Sequence, residues 1–176
     1  GVDYRGDIAQ FERELIAHAA IAEELGYKLS IHSGSDKFSI FPIVARHCER
    51  FHLKTAGTNW LEAMRVCAEK DPALYRRAHA FALKKFSEAQ KYYVVSTDLS
   101  RIPPLSELSD ADLPWLFEQD DARQLIHITY GFILSDPALG QALFALWRRE
   151  REAYANGLER HIGRHLDLIT GRPPRG

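Results

Sequence analysis

Cysteine is scarce in this chain, and long apolar runs are missing altogether. Cys48 and Cys67 are the only two cysteines among 176 residues. Each falls in a helix-like segment and no Cys-x-x-Cys spacing occurs. A disulfide between them is possible on the count of two but has no support in the sequence. The pair reads as two buried, reduced thiols, and the protein as cytoplasmic. No stretch approaches the roughly 20 apolar residues of a membrane span, and no signal peptide is visible. An excess of one charge is missing too. With 23 Lys and Arg against 24 Asp and Glu, the net charge of −1 gives no electrostatic case for a nucleic-acid partner. Neither a Gly-rich dinucleotide fingerprint nor a Gly-Lys-Ser/Thr phosphate loop is present. The first residues, Gly1-Val2-Asp3, contain no methionine, which suggests an internal start and an active site partly encoded upstream.

What is present suits a packed globular fold: 45% of residues are hydrophobic and 27% charged, near the soluble norm. Ile8, Phe11, Leu15, Ile16, Ala19, Ala22 and Leu25 recur at helical spacing, and Gly26 stops that helix. Residues 28–32 alternate as a strand. A helix is expected from about Asp36 to Glu49, with Pro42 disturbing its first turns. Residues 51–55 read as a second strand. Asn59 is placed to cap a helix running to Glu69, and Asp71-Pro72 to open the next one. Residues 92–96 read as a third strand. Helices between strands imply a parallel sheet. Three strands are too few to close a barrel, so the fold class expected is α/β, a partial barrel-like parallel sheet over residues 1–100. After it, 101–112 reads as a loop, 120–134 and the segment from Asp136-Pro137 onward as helices. Residues 101–170 thus form a C-terminal helical portion of the same domain, and 171–176 a tail.

In parallel α/β folds, ligands gather at the C-terminal ends of strands. The first such end, His32-Ser33-Gly34-Ser35-Asp36-Lys37, is the richest. Its small polar turn before a helix lets backbone N–H groups approach an anion, Lys37 adds positive charge, and His32 can ligate a metal or move a proton. At the second, Lys54 and Thr55 follow His52. His52 and Lys54 share a strand face, and Lys54, nearer the end, is the stronger candidate. At the third, Asp98 reads as a turn cap rather than a base. Gln124, His127, Tyr130 and Gly131 form a polar stripe on one helix face. His161 and His165 are an i, i+4 pair able to bind metal. The intervening glutamate of the H-E-x-x-H arrangement is missing, and the pair is read as structural.

Three segments carry a resemblance: residues 28–39 (KLSIHSGSDKFS), 51–60 (FHLKTAGTNW) and 123–131 (RQLIHITYG). Together they resemble the tagaturonate epimerase family of uronate catabolism, over about Asp3 to Ile169. The resemblance implies a barrel-like α/β fold, interconversion of D-tagaturonate and D-fructuronate, and a divalent metal ion. It makes His32 the first metal ligand to carry over and His127 the second. In that scheme Asp36 and Lys54 are catalytic. Ser33, Ser35, Lys37, Thr55 and Tyr130 contact a small-molecule sugar acid. The competing readings are a sugar-acid or sugar-phosphate binding domain without catalysis, and a helical module that pairs chains in a homo-oligomer.

Overall fold

The computed structural model describes residues 2–31 and 36–171. Two compact units emerge, one spanning Thr58–Leu158 and the other formed by Val2–Gly57 together with the segment from Glu159 onward.

The second unit holds the sheet. Helix α1, Ile8–Leu25, starts where the Asp7 carboxylate accepts from Gln10 N–H at 2.8 Å. It stops at Gly26, whose φ of 71° is the left-handed conformation glycine tolerates best. Strands β1 (Leu29–Ile31) and β2 (Phe51–Leu53) pair in parallel, with Ser30 opposite His52. Helix α2, Phe41–His47, crosses over between them. Pro42 does not disturb this helix but occupies its first turn, where its missing N–H costs nothing. The helix is accordingly shorter than the 36–49 expected. Leu29, Ile31 and Phe51 pack on a small core of Leu15, Ile43, Val44 and Cys48. Strand alternation then turns Ser30, His52 and Lys54, all exposed, to the opposite face. Among the described residues the sheet has two strands. Part of the α/β expectation is therefore present: a short parallel sheet within a chain that is mostly helical.

The other unit is helical throughout. It comprises α3 (Ala56–Lys70, from Thr58), α4 (Pro72–Ala89), α5 (Asp120–Ile128), α6 (Tyr130–Ser135), α7 (Pro137–Arg149) and the start of α8 (Arg151–Thr170). Helix α3 begins three residues before Asn59, which lies in its first turn and is not the cap. Asp71-Pro72 and Asp136-Pro137 open α4 and α7 as expected, each aspartate accepting from backbone N–H groups. Residues 101–112 are not plain loop. Short 3-10 turns occupy Leu99–Arg101 and Leu105–Glu107, and a 3-10 helix occupies Asp110–Glu118. Arg76 ties the second turn to the 3-10 helix, donating to the Leu105 and Leu108 carbonyls and to Asp110 at 2.7 Å. The helix expected over 120–134 breaks at Thr129, whose hydroxyl donates back to the Leu125 carbonyl at 2.7 Å. Two tryptophans tie helices through indole N–H donation, Trp60 to Ile126 O at 3.0 Å and Trp147 to Ala63 O at 2.8 Å.

The third strand is a correction. Residues 93–98 run without secondary structure, and Val94 is fully exposed. Among the described residues their alternating, β-branched sequence has no partner strand, and β-propensity without a partner does not make a sheet. The segment is anchored instead at its end, where Asp98 N–H donates to buried Asp121 at 3.0 Å.

His79 is 2% exposed and neither ring nitrogen has a hydrogen-bond partner among the described residues. Burial pushes its pKa down to about 4 from 6.5. The unfolded chain therefore binds a proton that the folded chain refuses. Stability is lost as pH falls from about 6.5 to about 4 and the loss is complete below that window. It amounts to about 3 kcal/mol. A His79→Leu variant should show a correspondingly shallower loss between pH 7 and pH 4 in urea unfolding. Gly140 makes a second test. A Cβ there would lie 2.5 Å from the Leu134 carbonyl oxygen, so Gly140→Ala should lower stability by about 1–3 kcal/mol in the same assay.

Candidate metal centre

Asp36 follows β1 by five residues, and its side chain is 4% exposed. Two imidazoles from the last turns of α8 meet it. Its Oδ1 lies 3.3 Å from His161 Nε2 and 3.1 Å from His165 Nε2. All three side chains are buried, and one ligand atom from each lies within 4.8 Å of the others. The helical period is what makes this possible. Residues four apart on α8 present their side chains on one face, one turn above the other, and the two rings are 4.8 Å apart between centroids.

The hydrogen bonding around His165 fixes its ring. Nδ1 is 2.8 Å from the His161 carbonyl oxygen. A carbonyl only accepts, so Nδ1 carries the hydrogen and Nε2 of the neutral ring presents a lone pair toward Asp36. A lone pair 3.1 Å from a carboxylate oxygen requires a cation there, a proton or a metal ion. The two carboxylate–imidazole separations fit a metal. Nitrogen and oxygen ligands at about 2.1 Å from one ion lie about 3.0–3.4 Å apart in octahedral or tetrahedral geometry, and the two Nε2–Oδ1 distances are 3.1 and 3.3 Å. Two imidazoles and one carboxylate form a borderline-hard donor set suited to divalent transition ions. An Nδ1–H held by a backbone carbonyl is the usual outer support of a metal-ligating histidine.

Aromatic walls close the site. Phe38 lies 4.8 Å and Phe41 5.3 Å from the His165 ring, centroid to centroid. The Arg164 guanidinium stacks 4.0 Å above Phe38. This packing lowers the local dielectric and strengthens any charge interaction within the cluster.

The residues singled out in the sequence are distributed unevenly about this centre. Asp36 is in it. His32, Ser33 and Ser35 lie outside the described residues. Lys37 is one residue away, with its ammonium 5.9 Å from the Tyr4 ring centre. Lys54 extends the ladder, its N–H donating to the Ile31 carbonyl at 3.4 Å. Thr55 follows it. Lys54 therefore stands at the C-terminal end of the sheet. His127 and Tyr130 belong to the other unit. There His127 is half-buried in α5, and Tyr130 is exposed with its ring 6.5 Å from Trp60. Asp98 caps, accepting from Ser100 N–H at 3.0 Å and Ser100 Oγ–H at 2.7 Å. Those bonds, the hydroxyl's first, hold its carboxyl below the usual range. The sequence reading set aside the His161–His165 pair for want of a glutamate between them. The carboxylate that meets them, Asp36, comes from over a hundred residues away. The usable signal was the i, i+4 spacing itself.

Comparison with known proteins agrees with the residues. A family model described as tagaturonate epimerase matches residues 1–169. The tagaturonate/fructuronate epimerase of Thermotoga maritima is 47% identical over 173 residues, 97% of this chain and 36% of that protein. A glycerol-complexed crystal structure of the fructuronate-tagaturonate epimerase of Cohnella laeviribosi superposes with a TM-score of 0.95 at 54% identity. It covers 97% of this chain and 36% of that one. The native crystal structure of the same enzyme gives 0.92 at 54% identity, covering 96% and 36%. The chain thus spans about a third of the length of these relatives, and it belongs to the tagaturonate epimerase family.

Proposed function

We propose that this chain carries the metal-binding portion of an enzyme that interconverts D-tagaturonate and D-fructuronate. The observation that supports the reading best is the buried Asp36–His161–His165 cluster with ligand-like separations. Its donor set would hold one divalent ion, and His32 is kept as a further ligand. We also propose that β1 and β2 are two strands of a barrel whose remaining strands lie in the rest of the protein, and that the enzyme is cytoplasmic. Two free, buried cysteines suit a reducing compartment. Among the described residues no helix is long and apolar enough to cross a membrane.

The substrate pair constrains the chemistry. The two ketouronates differ at the carbon two bonds from the ketone, whose C–H the carbonyl does not acidify. Enolisation cannot invert it, but breaking and remaking the adjacent carbon–carbon bond can. A base takes the proton from that carbon's hydroxyl. The oxygen's electron pair forms an aldehyde carbonyl as the bond breaks, and the bond's pair passes into the enolate of the ketone half. Re-addition to the other face of the aldehyde remakes the bond and returns the proton to oxygen. Nothing is consumed. A bound divalent ion would polarise the ketone oxygen and favour the enolate. Lys37 and Lys54 hold the substrate's carboxylate and developing oxyanion through their ammonium groups. Ser33, Ser35 and Thr55 supply hydroxyls to the sugar acid. The position of Asp36 between two imidazoles suits a ligand better than the free acid or base expected from sequence.

Removing metal from the full-length enzyme with a chelator should abolish epimerisation, and a divalent transition ion should restore it. His165→Ala should lower metal affinity by about 100-fold or more, read by metal analysis after dialysis. Full activity after thorough stripping would overturn the metal route. Binding of D-fructuronate without turnover would instead favour a binding domain. In a separate test, borohydride added with substrate should leave Lys54 unmodified. A reduced adduct there would assign it a Schiff base.

A further inference from the structure

The geometry points to His52 as the group that carries the proton in this reaction, with Ser30 as its positioning residue. This inference rests on the epimerase reading above. Once Asp36 is committed between two imidazoles, the bond-breaking step still needs a base for the substrate hydroxyl. The requirement is one group that takes a single proton out and gives the same proton back. Histidine is the side chain suited to both directions near neutral pH.

Three observations select His52. First, it lies on the polar face of the sheet. Leu29, Ile31 and Phe51 turn inward onto the α1–α2 core, while Ser30, His52 and Lys54 turn to the exposed face. In a parallel sheet with helices on one side, that face is the one a barrel encloses. Second, it is oriented. Ser30 and His52 are direct partners in the parallel register, and Ser30 Oγ lies 2.9 Å from His52 Nδ1. That bond occupies Nδ1 and leaves Nε2 to meet a substrate. An imidazole held at one nitrogen and presented at the other is the arrangement of a general acid–base catalyst. Third, Lys54 lies two residues further along the same face, toward the strand end that leads to Asp36 from β1. A sugar acid with its carboxylate at Lys54 would place its middle carbons over the sheet, within reach of the imidazole.

The test uses the full-length enzyme with D-fructuronate, turnover being followed by NMR. His52→Ala should lower kcat by about 100- to 1,000-fold, leave KM within about threefold, and leave bound metal unchanged. Added imidazole should restore at least a tenth of the lost rate, roughly, because a diffusing base can replace a missing one but cannot repair a packing defect. Ser30→Ala should lower kcat by about tenfold, with recovery in Ser30→Thr, which keeps the hydroxyl. These serine variants decide the matter if His52→Ala fails to fold. A kcat within about fivefold of wild type, no effect of imidazole on a folded His52→Ala, or equal rates for Ser30→Ala and Ser30→Thr would overturn the assignment. The metal-stripping result on wild-type enzyme is independent of all three, so failure of the metal reading is separable from failure of this one.

Discussion

The second unit depends on one carboxylate. Asp36 is buried, and a buried ionised carboxylate is tolerated only when paired. Its pairing draws on two imidazoles of α8, so residue 36 is tied to a helix more than a hundred residues further along the chain. The cluster constrains the rest. The two histidines must be four apart on a helix, the helix must run through both positions, and aromatic rings must exclude water without removing polar partners. Phe38, Phe41 and the Arg164 stack meet that last need. Removing one side of the pairing would take a partner from a buried polar group, which is costly.

Local chemistry was legible in the sequence, and long-range assembly was not. Asp71 and Asp136 cap helices where their sequence context says they should, because capping involves groups only two or three residues apart. Gly26 ends α1 for the same local reason. Strands 28–32 and 51–55 were found because each follows a helix and alternates. The stretch 92–96 has equal propensity and failed, since a strand exists only with a partner and propensity cannot say whether one arrives. Thr129 broke a helix that the apolar pattern carried through, by a side-chain bond to the backbone that periodicity does not register.

The Asp36–His161–His165 cluster shows the same division. The strand-end segment ending at Lys37 was identified as chemically rich, and Asp36 within it is part of the cluster. The two histidines were visible as an i, i+4 pair but carried no local signal of a third partner. Proximity between residue 36 and residues 161 and 165 is a property of the fold, not of any window of sequence. A spacing rule tied to one arrangement, H-E-x-x-H, discarded the pair. The physical requirement is weaker: two imidazoles on one helix face and any carboxylate that the fold delivers to them.

The small sheet brings these strands of argument together. Each of its strands is three residues long, too short to be stable as an isolated pair. Its apolar face is satisfied by α1 and α2. Its other face carries a serine, a histidine and a lysine in the positions where an open antiparallel sheet would simply meet water. Parallel sheets rarely leave a face to water. The polarity of this face is therefore better explained by an enclosed polar ligand than by solvent. A three-residue parallel pair would otherwise gain little from keeping an imidazole and a hydroxyl in register at 2.9 Å. Seen this way, the sheet's two faces have separate tasks. The apolar face gives the unit its fold, and the polar face keeps Ser30, His52 and Lys54 together on one side of the sheet.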